Sequence, residues 1–134
     1  MKFALFIQLM RSRAHARPAP DPEAVLAKAA LSAARCLGLT NRDLARILGT
    51  SEASVSRLHR QRALRRGSRE SELAALFVRL FRSLDTLTGG DEAKARAWYD
   101  APNAHLGGVP AERVSSVEGL VSVVQYLDAM RGKL

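Results

Sequence analysis

The sequence predicts an all-α fold, and three observations carry that prediction. Apolar residues make up 47% of the 134, and they are mostly Ala, Leu and Val, with aromatics at only 5%; this mixture favours helix. Leu73, Leu76, Phe77, Leu80, Leu84 and Leu87 recur at spacings of three and four, which puts them on one stripe of a helix. Helix-capping residues punctuate the rest, with Asp, Thr or Ser at expected starts and Gly at expected ends. The long alternation of polar and β-branched residues that marks a sheet is missing.

The elements follow in order. Residues 1–20 are expected to form a mobile N-terminal arm. Its opening, MKFALFIQLM, is too short to cross a bilayer, and Arg11, Arg13 and Arg17 follow it directly, so a start-site extension or an arm is expected rather than an export signal. The stretch from Arg17 to Pro22, with prolines at 18, 20 and 22, cannot continue a helix. Asp21 then caps a first helix that opens on Pro22, runs to about Leu37 and stops at Gly38; its alanines let a neighbouring helix approach closely. Thr40 or Asn41 caps a helix over 42–48 that Gly49 ends. Ser51 caps a third, from Glu52 to about Gln61, and a basic run from Arg60 to Arg69 closes on a turn signal.

The leucine-striped helix ends at Gly89-Gly90. Asp91 caps a shorter helix through Trp98 and Tyr99, residues 100–110 form an irregular loop, and Ser116 caps a last helix reaching about Met130. In the loop, Asn103 suits a turn, Gly107-Gly108 a tight reversal, and Trp98 is expected to anchor the loop in the core with its indole N–H on a carbonyl. This gives an arm at 1–20, a unit at 21–69 and a second helical unit at 70–134.

Charge is uneven along the chain. Residues 1–70 hold 14 Lys/Arg against 5 Asp/Glu, a net of +9, whereas residues 71–134 hold 7 against 8, a net of −1. A basic half joined to a neutral half is the pattern of a polyanion-binding module attached to something else. The dominance of Arg over Lys favours phosphate and guanine contacts. Cys36 is the only cysteine, so no internal disulfide can form; this suits a reducing cytoplasm, and the residue is expected to be a small core side chain.

Within the basic half, a helix-turn-helix is readable from Asn41. Leu44, Ala45, Leu48, Gly49, Val55 and Leu58 fall at positions four, five, eight, nine, fifteen and eighteen of that motif. Ala45 is small where two helices cross, Gly49 supplies a left-handed turn, and the four larger residues form the shared core. Left outside that core, Ser51, Glu52, Ala53, Ser56, Arg57 and Arg60 would face a DNA major groove. Arg57 is the first candidate for bidentate bonding to guanine, and Ser51 and Ser56 suit bases or phosphates. Arg60, Arg62, Arg65 and Arg66 suit the phosphate backbone, with Arg42 and Arg46 as further candidates. His59 reads as a surface polar group.

No catalytic constellation is present. His15, His59 and His105 lack metal-ligand spacing, and Gly107-Gly108 lacks the strand and Lys of a phosphate loop. Neither an enzyme, a cofactor nor a metal site is expected.

The last helix is apolar on two sides. Val117, Leu120, Val121, Val124 and Leu127 make one face, expected to pack on the leucine stripe. Val123, Tyr126 and Met130 make a second, expected to meet a partner.

The ordered series Ala97-Trp98, Pro102-Asn103, Leu106-Gly107-Gly108, Pro110 and Ser116-x-Glu118-Gly119-Leu120, with Val124 and Leu127, resembles the toxin-binding domain of Xre/MbcA/ParS-type antitoxins. The helix-turn-helix upstream resembles their Xre-like portion, and together the resemblance spans about 22–134. It implies an Xre-like bundle packed with a C-terminal helical toxin-binding domain. It also implies a RES-type, NAD-consuming toxin as partner, neutralised as the antitoxin's C-terminal region occludes its active-site entrance, with Arg131, Gly132, Lys133 and Leu134 placed to do so. Operator binding as a homodimer is expected from the geometry of palindromes, and the resemblance implies a larger hetero-oligomer with the toxin. The alternatives are a free-standing repressor whose C-terminal unit only dimerises, and an RNA-binding adaptor, which the scarcity of aromatics disfavours.

Overall fold

The computed structural model describes residues 19–134; most of the expected arm, residues 1–18, lies outside the described residues. Seven helices follow in order: α1 Pro22–Cys36, α2 Asn41–Leu48, α3 Glu52–Gln61, α4 Arg69–Leu87, α5 Glu92–Asp100, α6 Pro110–Arg113 and α7 Val117–Arg131. No strand occurs among the described residues, where a single bridge pairs Asn103 with Gly108. The all-α expectation is met.

Local hydrogen bonding explains where these helices start. Asp21 accepts the N–H of Glu23 at 3.1 Å, with Pro22 next in line. Thr40, rather than Asn41, caps α2: its hydroxyl accepts from the Asp43 N–H at 3.1 Å, while Asp43 Oδ2 accepts from the Thr40 N–H at 2.9 Å. This reciprocal pair satisfies two otherwise orphaned donors. Ser51, Ser68, Asp91 and Ser116 cap α3, α4, α5 and α7 in the same one-sided way. The one-turn helix α6 falls at the end of the expected loop, where Pro110 supplies a pre-set first position.

Burial is organised around α4. Leu73, Phe77, Leu80 and Leu84 are buried and Leu76 and Leu87 half-buried, as the stripe predicts. α1 and α2 pack on α4, and α7 packs along it more extensively than any other helix, so one helix serves both halves of the chain. From α1 come Ala27, Ala30, Ala33 and Ala34, all buried, which lets the α1 backbone approach α4 closely. A second tie runs from α5 to α1: Arg96 Nε donates to the Cys36 carbonyl at 2.7 Å and Nη2 to that of Arg35 at 3.2 Å, satisfying the last carbonyls of α1. Cys36 itself is half-buried rather than a core residue, and its thiol donates to Glu92 Oε1 at 3.4 Å. Partial burial, then that bond, pushes the thiol pKa up.

The rotation of α7 corrects two sequence expectations. The face against α4 is Leu120, Val123, Val124 and Leu127, all buried, whereas Val117 is 47% exposed and Val121 only half-buried. Polar contacts hold this rotation. The fully buried Ser83 of α4 donates to Asp128 Oδ1 at 3.0 Å, and Arg79 pairs with the same carboxylate. Asp128→Ala is therefore expected to cost about 1–3 kcal/mol, because it strands a buried hydroxyl. Asp128→Asn keeps an acceptor and loses only an ion pair whose Arg79 side is exposed to solvent, which is worth about 1 kcal/mol or less. Urea denaturation of both variants checks the order; equal losses would mean that the Ser83 bond is not what counts.

Candidate functional site

The helix-turn-helix forms as its spacing predicts. Leu44, Ala45, Leu48, Val55 and Leu58 are buried, Ile47 joins them, and Gly49 closes α2 in the left-handed region at φ 66°. Burying Val55 and Leu58 fixes the rotation of α3, and Ser51, Glu52, Ala53, Ser56, Arg57 and Arg60 are consequently all exposed. Arg57 lies back along its own helix, Nη2 donating to Ser54 Oγ at 2.9 Å, while Ser51 Oγ bonds the same Ser54 hydroxyl at 3.1 Å. On the other flank of α3, His59 Nε2 lies 3.1 Å from Asn41 Oδ1 of α2.

The basic run after α3 is an ordered strap and not a free tail. Leu64 is buried, and its N–H donates to the Glu23 carbonyl at 3.3 Å. The Arg66 N–H donates to Glu23 Oε1 at 2.7 Å. Two bonds to the first turn of α1 thus fix the path of the strap, and Arg62, Arg65 and Arg66 stand exposed along it. Glu23 was not legible as their anchor, since its partners lie over forty residues away and no local spacing signals them.

In the C-terminal half, the loop before α6 is built as its residues suggest. Asn103 Oδ1 accepts from the N–H groups of His105 and Leu106 at 3.0 and 3.2 Å, and Gly107 turns the chain at φ 67°. Trp98 packs at the edge of the core and not inside it. It is half-buried, its indole makes no hydrogen bond among the described residues, and Tyr99 takes the core place at 1% exposure. Successive helical residues point ~100° apart, so only one of the pair could enter. Burial, then the Asp43 and Asp100 carboxylates, push the Tyr99 pKa well above the ordinary phenol value.

Trp98 instead stacks on Tyr126, ring centroids 6.2 Å apart, and His105 stacks on Tyr126 at 5.8 Å. Of the residues expected to meet a partner, Tyr126 is half-buried, Met130 is 37% exposed, and Arg131, Gly132, Lys133 and Leu134 are exposed at the chain end. Val123 is the exception: it is fully buried against the core and therefore drops out of that surface. No group of His, Cys, Asp and Glu among the described residues is arranged to hold a metal ion, and no helix among them is long and apolar enough to cross a membrane.

Two family models match the chain. Residues 16–79 match the antitoxin Xre-like helix-turn-helix domain. Residues 83–133 match the antitoxin Xre/MbcA/ParS C-terminal toxin-binding domain. The two matches meet inside α4, the helix that packs against both halves. No curated protein matches the chain.

Proposed function

Since the chain belongs to the Xre/MbcA/ParS-type antitoxins, with a DNA-binding and a toxin-binding half, we propose that it neutralises a RES-type, NAD-consuming toxin and represses its own operon. The observation that carries this reading is that α4 links two exposed surfaces: the reading face of α3, a helix that packs on α2 and through it on α4, and the Met130–Leu134 end of α7 beside the half-buried Tyr126. Toxin binding at one end can then be felt by the DNA-binding end through a shared core. The activity is binding alone, in the cytoplasm, and no catalytic step is assigned to the chain.

For neutralisation, Arg131 and Lys133 put two cations on an exposed chain end beside Met130 and Tyr126. A pocket that accepts a dinucleotide pyrophosphate favours such groups through charge-assisted hydrogen bonds, so the tail would occupy the entrance that NAD uses. Removing residues 131–134 should leave DNA binding intact and weaken neutralisation. The check is growth of cells expressing toxin with the shortened chain; full rescue would remove the tail from the mechanism.

For DNA recognition, Arg57 would exchange its bond to Ser54 for the edge of a guanine, while Arg60, Arg62, Arg65 and Arg66 hold phosphates. Two copies would bring two α3 helices to a palindromic operator. Arg57→Ala is expected to lose about 1–3 kcal/mol of discrimination at one base position. Competition binding with single-base operator variants reads this directly, and a uniform weakening on all sequences would reassign Arg57 to the backbone.

A further inference from the structure

Beside the reading face lies a basic concavity that the helix-turn-helix pattern does not contain. It encloses about 360 Å³ and is lined by Lys28, Leu31, Ser32 and Arg35 of α1 and by His59 and Arg62 at the far end of α3. No carboxylate lines it, and none of its basic groups pairs with one among the described residues, where the ion pair formed is Arg79 with Asp128. Three cations and an imidazole gathered without a counter-charge repel one another unless an anion sits between them. Arg62 is moreover held at φ 50°, making it the one non-glycine residue with positive φ among the described residues, in a conformation uncommon for a side-chain-bearing residue.

We propose that this concavity is a phosphate track that holds one strand of duplex DNA while α3 reads the major groove, a role that extends the DNA footprint onto α1. The inference rests on the DNA-binding reading above. Its geometry suits a strand. Lys28 and Arg35 stand seven residues apart on α1, about 10 Å along its axis, so the two cations can contact two different phosphates of one strand, with the Ser32 hydroxyl between them. On the opposite flank of α3, a second groove is lined by Ser54, Arg57 and Arg65 but also by the carboxylate of Glu70. α3 is thus flanked by α1 on one side and the strap on the other, as a helix gripping both walls of a groove requires.

The test compares Lys28→Gln/Arg35→Gln with a charge-matched pair outside the track, Lys94→Gln/Arg113→Gln, both exposed on α5 and α6, in the full chain. Binding to a random-sequence 30-base-pair DNA duplex is measured between 50 and 200 mM salt, and thermal melting verifies that both pairs are folded. Each lost phosphate contact lowers the slope of log affinity against log salt by about 0.9. The track pair should accordingly lose roughly tenfold less affinity than the parent over that salt range, while binding more weakly at low salt, and the control pair should follow the parent. Equal effects of the two pairs, or none from the track pair, overturn the proposal. So does tighter binding of the parent to an RNA duplex of the same length. A parent that binds no duplex at all overturns the DNA-binding reading itself, and the track falls with it. Retained track behaviour without sequence preference leaves the track standing and removes only operator recognition.

Discussion

Phe77→Ala is expected to destabilise the whole chain by about 3–5 kcal/mol, a large share of the roughly 5–15 kcal/mol of net stability that domains commonly have. Phe77 is fully buried on α4, the helix on which α1, α2 and α7 all pack. Removing its ring forfeits transfer free energy and leaves a cavity that neighbours on several helices would have to close. Because those helices belong to both halves, the loss should appear as one cooperative transition at lower denaturant, with DNA and toxin binding weakened together. Leu76→Ala, on the same helix but only half-buried, should cost clearly less. A variant that lost toxin binding while keeping its full melting temperature and DNA affinity would mean that α4 does not couple the halves.

The second large effect reverses an ordinary rule. Gly119 lies inside α7, where Gly→Ala usually stabilises a helix by about 1 kcal/mol. Here an added Cβ would overlap the carbonyl oxygen of Arg113 and lie 2.7 Å from its carbonyl carbon and 2.9 Å from Ser116 Oγ. Two of those contacts are backbone, which cannot rotate away. Gly119→Ala is therefore expected to cost about 1–3 kcal/mol or more, as α7 is pushed off the turn made by α6. Gly132→Ala is the control: its Cβ would sit 3.5 Å from the nearest atom, and its φ of −65° suits any residue. Thermal melting of the two variants should move in different ways, with Gly119→Ala falling several degrees and Gly132→Ala staying within a degree or so of the parent. A stabilised Gly119→Ala would show that α7 does not seat on the Arg113 carbonyl.

What the sequence made legible follows from the range of the forces involved. Caps and turns depend on bonds two or three residues long, so Asp21, Ser51, Asp91 and Ser116 could be placed from their neighbours alone, and Thr40 narrowed to one of two. The helix-turn-helix was legible for the same reason, its core residues lying at fixed offsets around Gly49. The rotation of α7 was not. Val117, Leu120, Val121, Val123, Val124 and Leu127 cover so much of the helix that periodicity admits more than one buried face, and the choice is made by Asp128 on Ser83 and by Gly119 on Arg113. Trp98 and Tyr99 posed the same problem on a short helix. The strap after α3 and the concavity beside it depend on Glu23, Lys28 and Arg35, residues of α1 whose place beside α3 only the fold supplies.

Binding and neutralising a toxin through the C-terminal half is the function on which the rest depends. Its most direct test is co-expression with the neighbouring gene product, followed by affinity purification and a growth assay. The neighbour alone is expected to halt growth, the two together to form a stable complex, and growth to return. A neighbour that is harmless alone and does not co-purify would contradict it, and would leave a free-standing repressor whose α7 surface serves only to join two copies.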